Sequence, residues 1–322
     1  MNLTALLDSP MRALQRLLGA GGMPWAFLLP NIAFFGLFVF LPIGLNLVFA
    51  FTGGAGLFLA ERPYVGTEQF DHLLACGSYL DPGSCREDHF WRGVANTAKF
   101  TVFQVGAMVL AALVTALVLN RPIRGRALFR AVYFFPVLLS PVVVAMVWKW
   151  ILQRDGLLNA GITALGGERV LFFVEPGWAM FWAVFVSVWA HMGFYTLILL
   201  AGLQAIPADL YEAAQMDATP RLRVLRRITL PLLWPNLVVV IVLALIKGVQ
   251  TFDEVFVLTG GGPGTATLMI VQYIYETAFS NQVQNFGLAA AASVLLGLVL
   301  FALTLAQLGL SKRQESRRKE AA

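Results

Sequence analysis

Six apolar runs leave this chain few ways to fold. They fall at Trp25–Phe51, Val94–Leu119, Ala131–Leu152, Trp178–Leu203, Asn236–Leu258 and Phe286–Leu310. Each is about the 20 residues that a helix needs to cross a hydrocarbon layer roughly 30 Å thick. No soluble core explains them, because 58% of the chain is apolar where soluble domains average about 45–50%. Inside lipid every backbone polar group must find its partner within the protein, so apolar runs of this length predict helices. The expected fold class is therefore an all-α membrane protein with six transmembrane helices and both termini on one side. The expected layout is an N-terminal segment 1–24, a membrane domain 25–310 and a basic tail 311–322.

The first run competes with a signal-peptide reading. It is long enough to span and no small-residue cleavage pattern clearly follows it, so a retained helix is expected. A short amphipathic stretch, Met11–Leu18 with Arg12 and Arg16, precedes it. Lys and Arg near the ends of spans set orientation. Arg121, Arg124, Arg126 and Arg130 follow the second run, and Arg221, Arg223, Arg226 and Arg227 follow the fourth. Lys312, Arg313, Arg317, Arg318 and Lys319 follow the last. These segments and both termini are expected in the cytoplasm. The net charge of +5 is thus spent on topology, and a nucleic-acid surface has little support.

The longest outer segment, 52–92, holds both cysteines, Cys76 and Cys85, which either pair in an oxidising compartment or remain free thiols. With only His72 and His89 nearby and no tight ligand spacing, no metal site is expected. Pro136 and Pro141 predict kinks in the third run. The Gly260–Gly264 run lacks the Lys-Ser/Thr pair of a phosphate loop, and Thr265–Asn285 reads as a short amphipathic helix at the outer surface. Trp148, Trp150 and Trp178 read as interfacial anchors, with Lys149 snorkelling between the first two.

Polar side chains inside spans are expensive and need a reason. In the fifth run Lys247, Gln250, Thr251 and Glu254 follow helical spacing as one stripe, with Asp253 on its edge. Such a stripe faces a watery cavity or partner subunit, or pairs internally as Lys247–Glu254 or Lys247–Thr251. In the fourth run Ser187, His191 and Tyr195 share a face, and Gly193 admits a close backbone. A lone His on an apolar helix is more often structural than ligand-binding. A ring for stacking beside amide and carboxylate groups for hydroxyls is nevertheless what a polyol solute needs.

One long segment between apolar runs is itself polar and rich in Arg, spanning 205–235. Pro207 and Thr219–Pro220 predict two short helices, the first over Leu210–Met216, the second carrying Arg221 to Arg227. The segment resembles the EAA coupling loop of ABC-importer permeases, E-A-A-x-x-D-G-A followed after five residues by F-x-x-I-x-L-P. Glu212, Ala213, Ala214, Asp217, Ile228, Leu230 and Pro231 match it in register. Ala218 replaces its Gly, Thr219 its Ala and Leu225 its Phe, and the lost Gly predicts that the bend moves to Thr219–Pro220. The alternative is an ordinary cytoplasmic connector.

From about Arg92 onward, FWRGVANT, LQAIPADLYEAAQMDA and VLTGGGPGTATLMIVQYIYETAF resemble carbohydrate-uptake permeases of the maltose and glycerol-phosphate type. The resemblance implies a type I ABC importer subunit for a sugar, oligosaccharide, polyol or polyol phosphate in a bacterial cytoplasmic membrane. It implies a second permease, two ATPase subunits and an extracytoplasmic solute-binding protein as partners. ATP and Mg would be used by the ATPases, since this chain has no Walker A pattern and is not an enzyme on its own. Coupling would fall on Glu212, Ala213, Ala214, Asp217, Ala218, Arg221 and Leu225. Solute contacts would fall near Ser187, His191 and Tyr195, and near Gln250, Thr251, Asp253, Glu254 and Phe256. A self-contained ion-coupled transporter using Lys247, Asp253 and Glu254 is the other reading, although no inverted repeat is visible.

Overall fold

The computed structural model describes residues 3–122, 124–280 and 282–321. The side chains of Arg12 and Arg16, and those of the basic residues in the tail, lie outside the described residues. Among the described residues the chain is helical, without a β-strand. In order, α1 is Leu3–Phe35, α2 Leu41–Ala50, α3 Glu68–Leu74 and α4 Asp88–Leu119. Then come α5 Arg126–Phe134, α6 Pro141–Leu152, α7 Leu157–Ala164 and α8 Pro176–Gln204. The remainder are α9 Ala208–Met216, α10 Arg221–Val224, α11 Leu230–Val249, α12 Asp253–Thr259, α13 Ile270–Tyr275 and α14 Phe286–Ala321.

Among the described residues, five stretches are long and apolar enough to cross a membrane: Gly21–Ala50, Asp88–Leu119, Pro176–Gln204, Arg221–Val249 and Phe286–Gly309. The third expected span is not one helix with a kink. Arg126–Leu138 and Pro141–Ala164 meet at 100°, so that a sixth crossing exists only if the bent pair is counted as one. Proline chemistry makes the corner. Pro136 sits in a 3₁₀ turn, Phe135–Leu138, and Ser140 before Pro141 is extended at ψ 136°. Prolines also explain two π-helical turns, Gly36–Phe40 and Leu225–Thr229, which lead into Pro42 and Pro231. A proline clashes with the carbonyl four residues back, and one extra residue in the turn relieves it.

The core is a three-helix seam. Met108, Ala112 and Ala116 of α4 meet Tyr195, Leu199 and Leu203 of α8 and Leu233, Leu237, Val240 and Ala244 of α11. Small residues let these backbones close up where lipid supplies no hydrophobic drive of its own. Two glycines of α8 mark close approaches. A side chain at Gly193 would collide with the Tyr133 carbonyl of α5, and one at Gly202 with Asn236 of α11. The first span stays outside this seam: it is exposed through most of its length and joins the bundle at its C-terminal end, where Asn46 donates its amide to Ser293 Oγ at 2.9 Å and Ala50 is buried against Ala291.

Three further expectations are corrected. The helix after the glycine run is only α13, followed by a π-helical turn over Glu276–Ser280, and it is no surface helix. Its Ile270 and Tyr273 pack on Ala50, Phe90 and Ala291. Trp148 lies in an aromatic cluster with Trp182, Phe185 and Trp189 instead of standing at a free interface. Lys149 does not snorkel between tryptophans; its ammonium donates to the Val257 carbonyl near the end of α12, 3.0 Å away. In the long segment 52–92, Cys76 and Cys85 are joined as a disulfide.

Candidate functional site

Two constructions stand out, and the first is a knuckle built from α9 and α10. Pro207 is extended at ψ 134° and turns the chain off the end of α8 before α9 begins. The α9 helix is closed by a left-handed cap at Ala218, whose φ is +47°. The Ala218 N–H donates to the Gln215 carbonyl at 3.0 Å and the Thr219 N–H to the Ala214 carbonyl at 2.9 Å. This is the Schellman arrangement, in which glycine is usual at the left-handed position. The bend therefore does not move to Thr219–Pro220. Hydrogen bonds to the last carbonyls of α9 hold Ala218 in the conformation that a glycine would take more cheaply. Nor does Thr219 cap the second helix, because Pro220 occupies the cap position and α10 starts at Arg221.

The knuckle is tied in at both ends. Tyr211 of α9 lies 3.2 Å, hydroxyl to hydroxyl, from Thr229 in the turn that starts the fifth span. Gln204, the last residue of α8, accepts from Arg126 and Arg130 of α5 at 3.1 Å each, with its amide oxygen placed by that network. Among the matched positions only Ala214 is buried; Glu212, Ala213 and Asp217 are exposed, as are Ala218 and Arg221, and Leu225 is half-buried. Met216 and Leu222 stand out beside them, 88% and 58% exposed.

Replacing Ala218 by Gly tests the cap. A left-handed residue with a Cβ costs roughly 1–2 kcal/mol, so Ala218→Gly should stabilise the purified chain by about 1 kcal/mol, read as a raised unfolding midpoint. Unchanged or lowered stability would mean that Ala218 is not held there.

The second construction is a polar centre where the fifth span breaks. The expected stripe is not continuous, since α11 ends at Val249 and Phe252 (φ −147°, ψ −68°) turns the chain into α12. The break folds Glu254 back against Lys247, with Oε1 to Nζ at 3.7 Å. Ser187 Oγ and Thr251 Oγ1 each donate to the same Oε1 at 3.2 Å. Glu254 is 1% exposed, so it is not at the hydrated surface as a residue on the edge of a span would be. His191 bonds the Ser187 carbonyl through Nδ1 at 2.8 Å, which leaves Nε2 as the free acceptor of the ring.

Other expected residues lie elsewhere. Tyr195 is 4% exposed within the three-helix seam and does not reach the polar centre. Gln250 and Asp253 are exposed at the break, whereas Glu254 is buried. Phe256 is half-buried and stacked on Phe252, with ring centroids 5.1 Å apart.

The fold now bears comparison with known proteins. Residues 107–316 match the family described as binding-protein-dependent transport system inner membrane component. The chain belongs to this family. The trehalose/maltose transport system permease protein MalF of Thermococcus litoralis is 35% identical over 252 residues, 78% of this chain and 81% of that protein. The lactose transport system permease protein LacF of Rhizobium radiobacter is 32% identical over 288 residues, covering 88% and 92%. Among solved structures, a bacterial ABC transporter involved in the import of the acidic polysaccharide alginate superposes with a TM-score of 0.78. That match is 24% identical over 94% of this chain and 99% of that one, and it speaks to the fold. The chain is thus a multi-pass inner-membrane permease component.

For such a permease the structure adds two residues that the sequence did not single out. Thr101 and Gln104 of α4 are buried, 5% and 0% exposed, against Gly248 of α11. The Thr101 hydroxyl and both amide atoms of Gln104 have no partner among the described residues, and neither does Glu254 Oε2. Leaving such groups unpaired costs about 1–3 kcal/mol each, a cost usually tolerated only where function or water needs them. Gln104→Leu should therefore raise stability by about 1 kcal/mol while lowering solute uptake. A variant that loses stability would show that Gln104 is paired, and one that transports normally would show that it is idle.

Proposed function

We propose that this chain is one permease subunit of a type I ABC importer for a neutral sugar, oligosaccharide or polyol, with the knuckle as its handle. The observation that carries the reading is the knuckle's construction, rigid by its own hydrogen bonds yet exposed along Glu212, Asp217, Arg221, Met216 and Leu222. In this reading two cytoplasmic ATPase subunits grip it, using ATP and Mg, and a second permease completes the path. A solute-binding protein docks on the opposite side, as the family description implies; the alginate transporter has been solved in complex with such a periplasmic protein.

Force applied to the knuckle has two routes into the bundle. One runs through Thr229 into α11 and its break. The other runs through Gln204 and the arginines of α5 to the corner at Pro136–Pro141. The polar centre lies at the far end of the first route. Because Lys247 already faces Glu254, it is no free cation, and this favours neutral polyhydroxylated solutes over polyol phosphates. The relatives named for trehalose, maltose and lactose support that class. Uptake of labelled maltose, trehalose and lactose into vesicles holding the whole complex tests the reading. ATP-dependent accumulation of at least one is expected, whereas accumulation driven by an ion gradient without ATP would favour a secondary transporter.

A further inference from the structure

Five aromatic rings form an unbroken file beside the polar centre. Phe252 stacks on Phe256, and Tyr275 meets these rings at 5.3 and 5.7 Å between centroids. Phe279 follows Tyr275 at 5.9 Å, and Phe286 follows Phe279 at 6.1 Å. The file starts next to Thr251 and ends, along the chain, after the exposed polar residues Gln282 and Gln284. It is not closed over, since Tyr275 is 38% and Phe279 63% exposed.

Exposed rings on a membrane protein ordinarily meet lipid. Here the margins argue otherwise. Gln250 and the Asp253 carboxylate are exposed at the inner end of the file, and Glu276, which accepts from Gln272 at 2.8 Å, lies between Tyr275 and Phe279 in the chain. Charged and amide groups in this position need water or a protein partner, not hydrocarbon. A strip of aromatic faces edged by hydrogen-bonding groups has the two-sided chemistry of a pyranose, whose C–H face stacks while its hydroxyls seek polar atoms.

We propose that Phe252, Phe256, Tyr275, Phe279 and Phe286 form a stacking track along which sugar rings pass between the outer mouth and the polar centre at Thr251 and Glu254. The proposal rests on the sugar-import reading and adds to it a path and the residues that line it. Stacking is tolerant of sugar identity, so the track serves selection by an outer binding protein and does not duplicate it.

Cysteine accessibility in the whole complex tests it, because the native Cys76 and Cys85 are already bonded to each other. Phe256→Cys, Tyr275→Cys and Phe279→Cys are treated from outside with a charged methanethiosulfonate, the ATPases being trapped with ADP-vanadate. Leu165→Cys, 91% exposed before α8, reports outer water, and Phe301→Cys, 62% exposed on α14, reports lipid. All three track variants should react at rates near that of Leu165→Cys. Phe301→Cys should be about a hundredfold slower, because thiolate and reagent are both excluded from hydrocarbon. Excess maltose, trehalose or lactose should slow Tyr275→Cys about threefold, the size of a stacking contact, and glycerol should not. Behaviour like Phe301→Cys would make the strip lipid-facing, silence towards both charged and lipid-soluble reagents would make it a subunit interface, and lack of protection by any sugar would deny the stacking; each overturns the proposal. If Leu165→Cys is itself unreactive from outside, the orientation beneath the import reading fails instead.

Discussion

Glu212→Lys should cut solute uptake by about a hundredfold while the chain still inserts and the ATPase subunits still turn over, with the two activities no longer linked. Glu212 is exposed on α9, at the centre of the knuckle, and contributes nothing to the three-helix seam. Reversing an exposed charge outside the core alters stability by only about 0.5 kcal/mol. The same reversal in the middle of a protein interface costs on the order of 2–4 kcal/mol, which is the expected loss in rate. Three readouts separate the outcomes: uptake into vesicles, ATP hydrolysis by the complex and abundance in the membrane. Normal transport by the variant would remove the knuckle from the mechanism.

The second large effect is expected inside the bundle, as a coupling between Lys247 and Glu254. Lys247→Met leaves the carboxylate of Glu254 buried and uncompensated, which costs about 3 kcal/mol. Glu254→Gln strands the ammonium less severely, because the side chain of Lys247 remains 30% exposed. The double variant has no buried charge, and the amide that replaces the carboxylate keeps an acceptor oxygen for Ser187 and Thr251, so it should be closer to the wild type than Lys247→Met is. A coupling of about 1–2 kcal/mol in the cycle, from unfolding in detergent, is the expected value. Additive effects would show that the 3.7 Å approach carries no energy.

The long spans were legible because apolar length alone specifies them, and the matched EAA positions located the knuckle before any geometry was known. Breaks were harder to read. Lys247, Gln250, Thr251 and Glu254 keep helical spacing across the stop, so the pattern predicts a continuous helix there although Gly248 lies one residue before its end. Bonds across the break hold the turned chain, namely Ser187 and Lys247 on Glu254, and Lys149 on the Val257 carbonyl. Pro136 and Pro141 were visible, yet a kink and a 100° corner have the same sequence signature, and packing on α8 around Gly193 decides between them. Ala218 shows the converse case. The local rule wanted glycine, and the two cap hydrogen bonds overrode it. Thr101 and Gln104 escaped notice because isolated polar residues in an apolar run read as tolerated exceptions until their burial against Gly248 is seen.

Contact between the knuckle and a separate motor is the proposition on which the functional account stands. A cysteine at Met216, the most exposed apolar residue of α9, makes it measurable by cross-linking in the assembled complex. The account predicts a cross-link from Met216→Cys to an ATPase subunit whose yield changes when ATP is bound. A cross-link to the solute-binding protein, or none to any subunit in an intact and active complex, would contradict it.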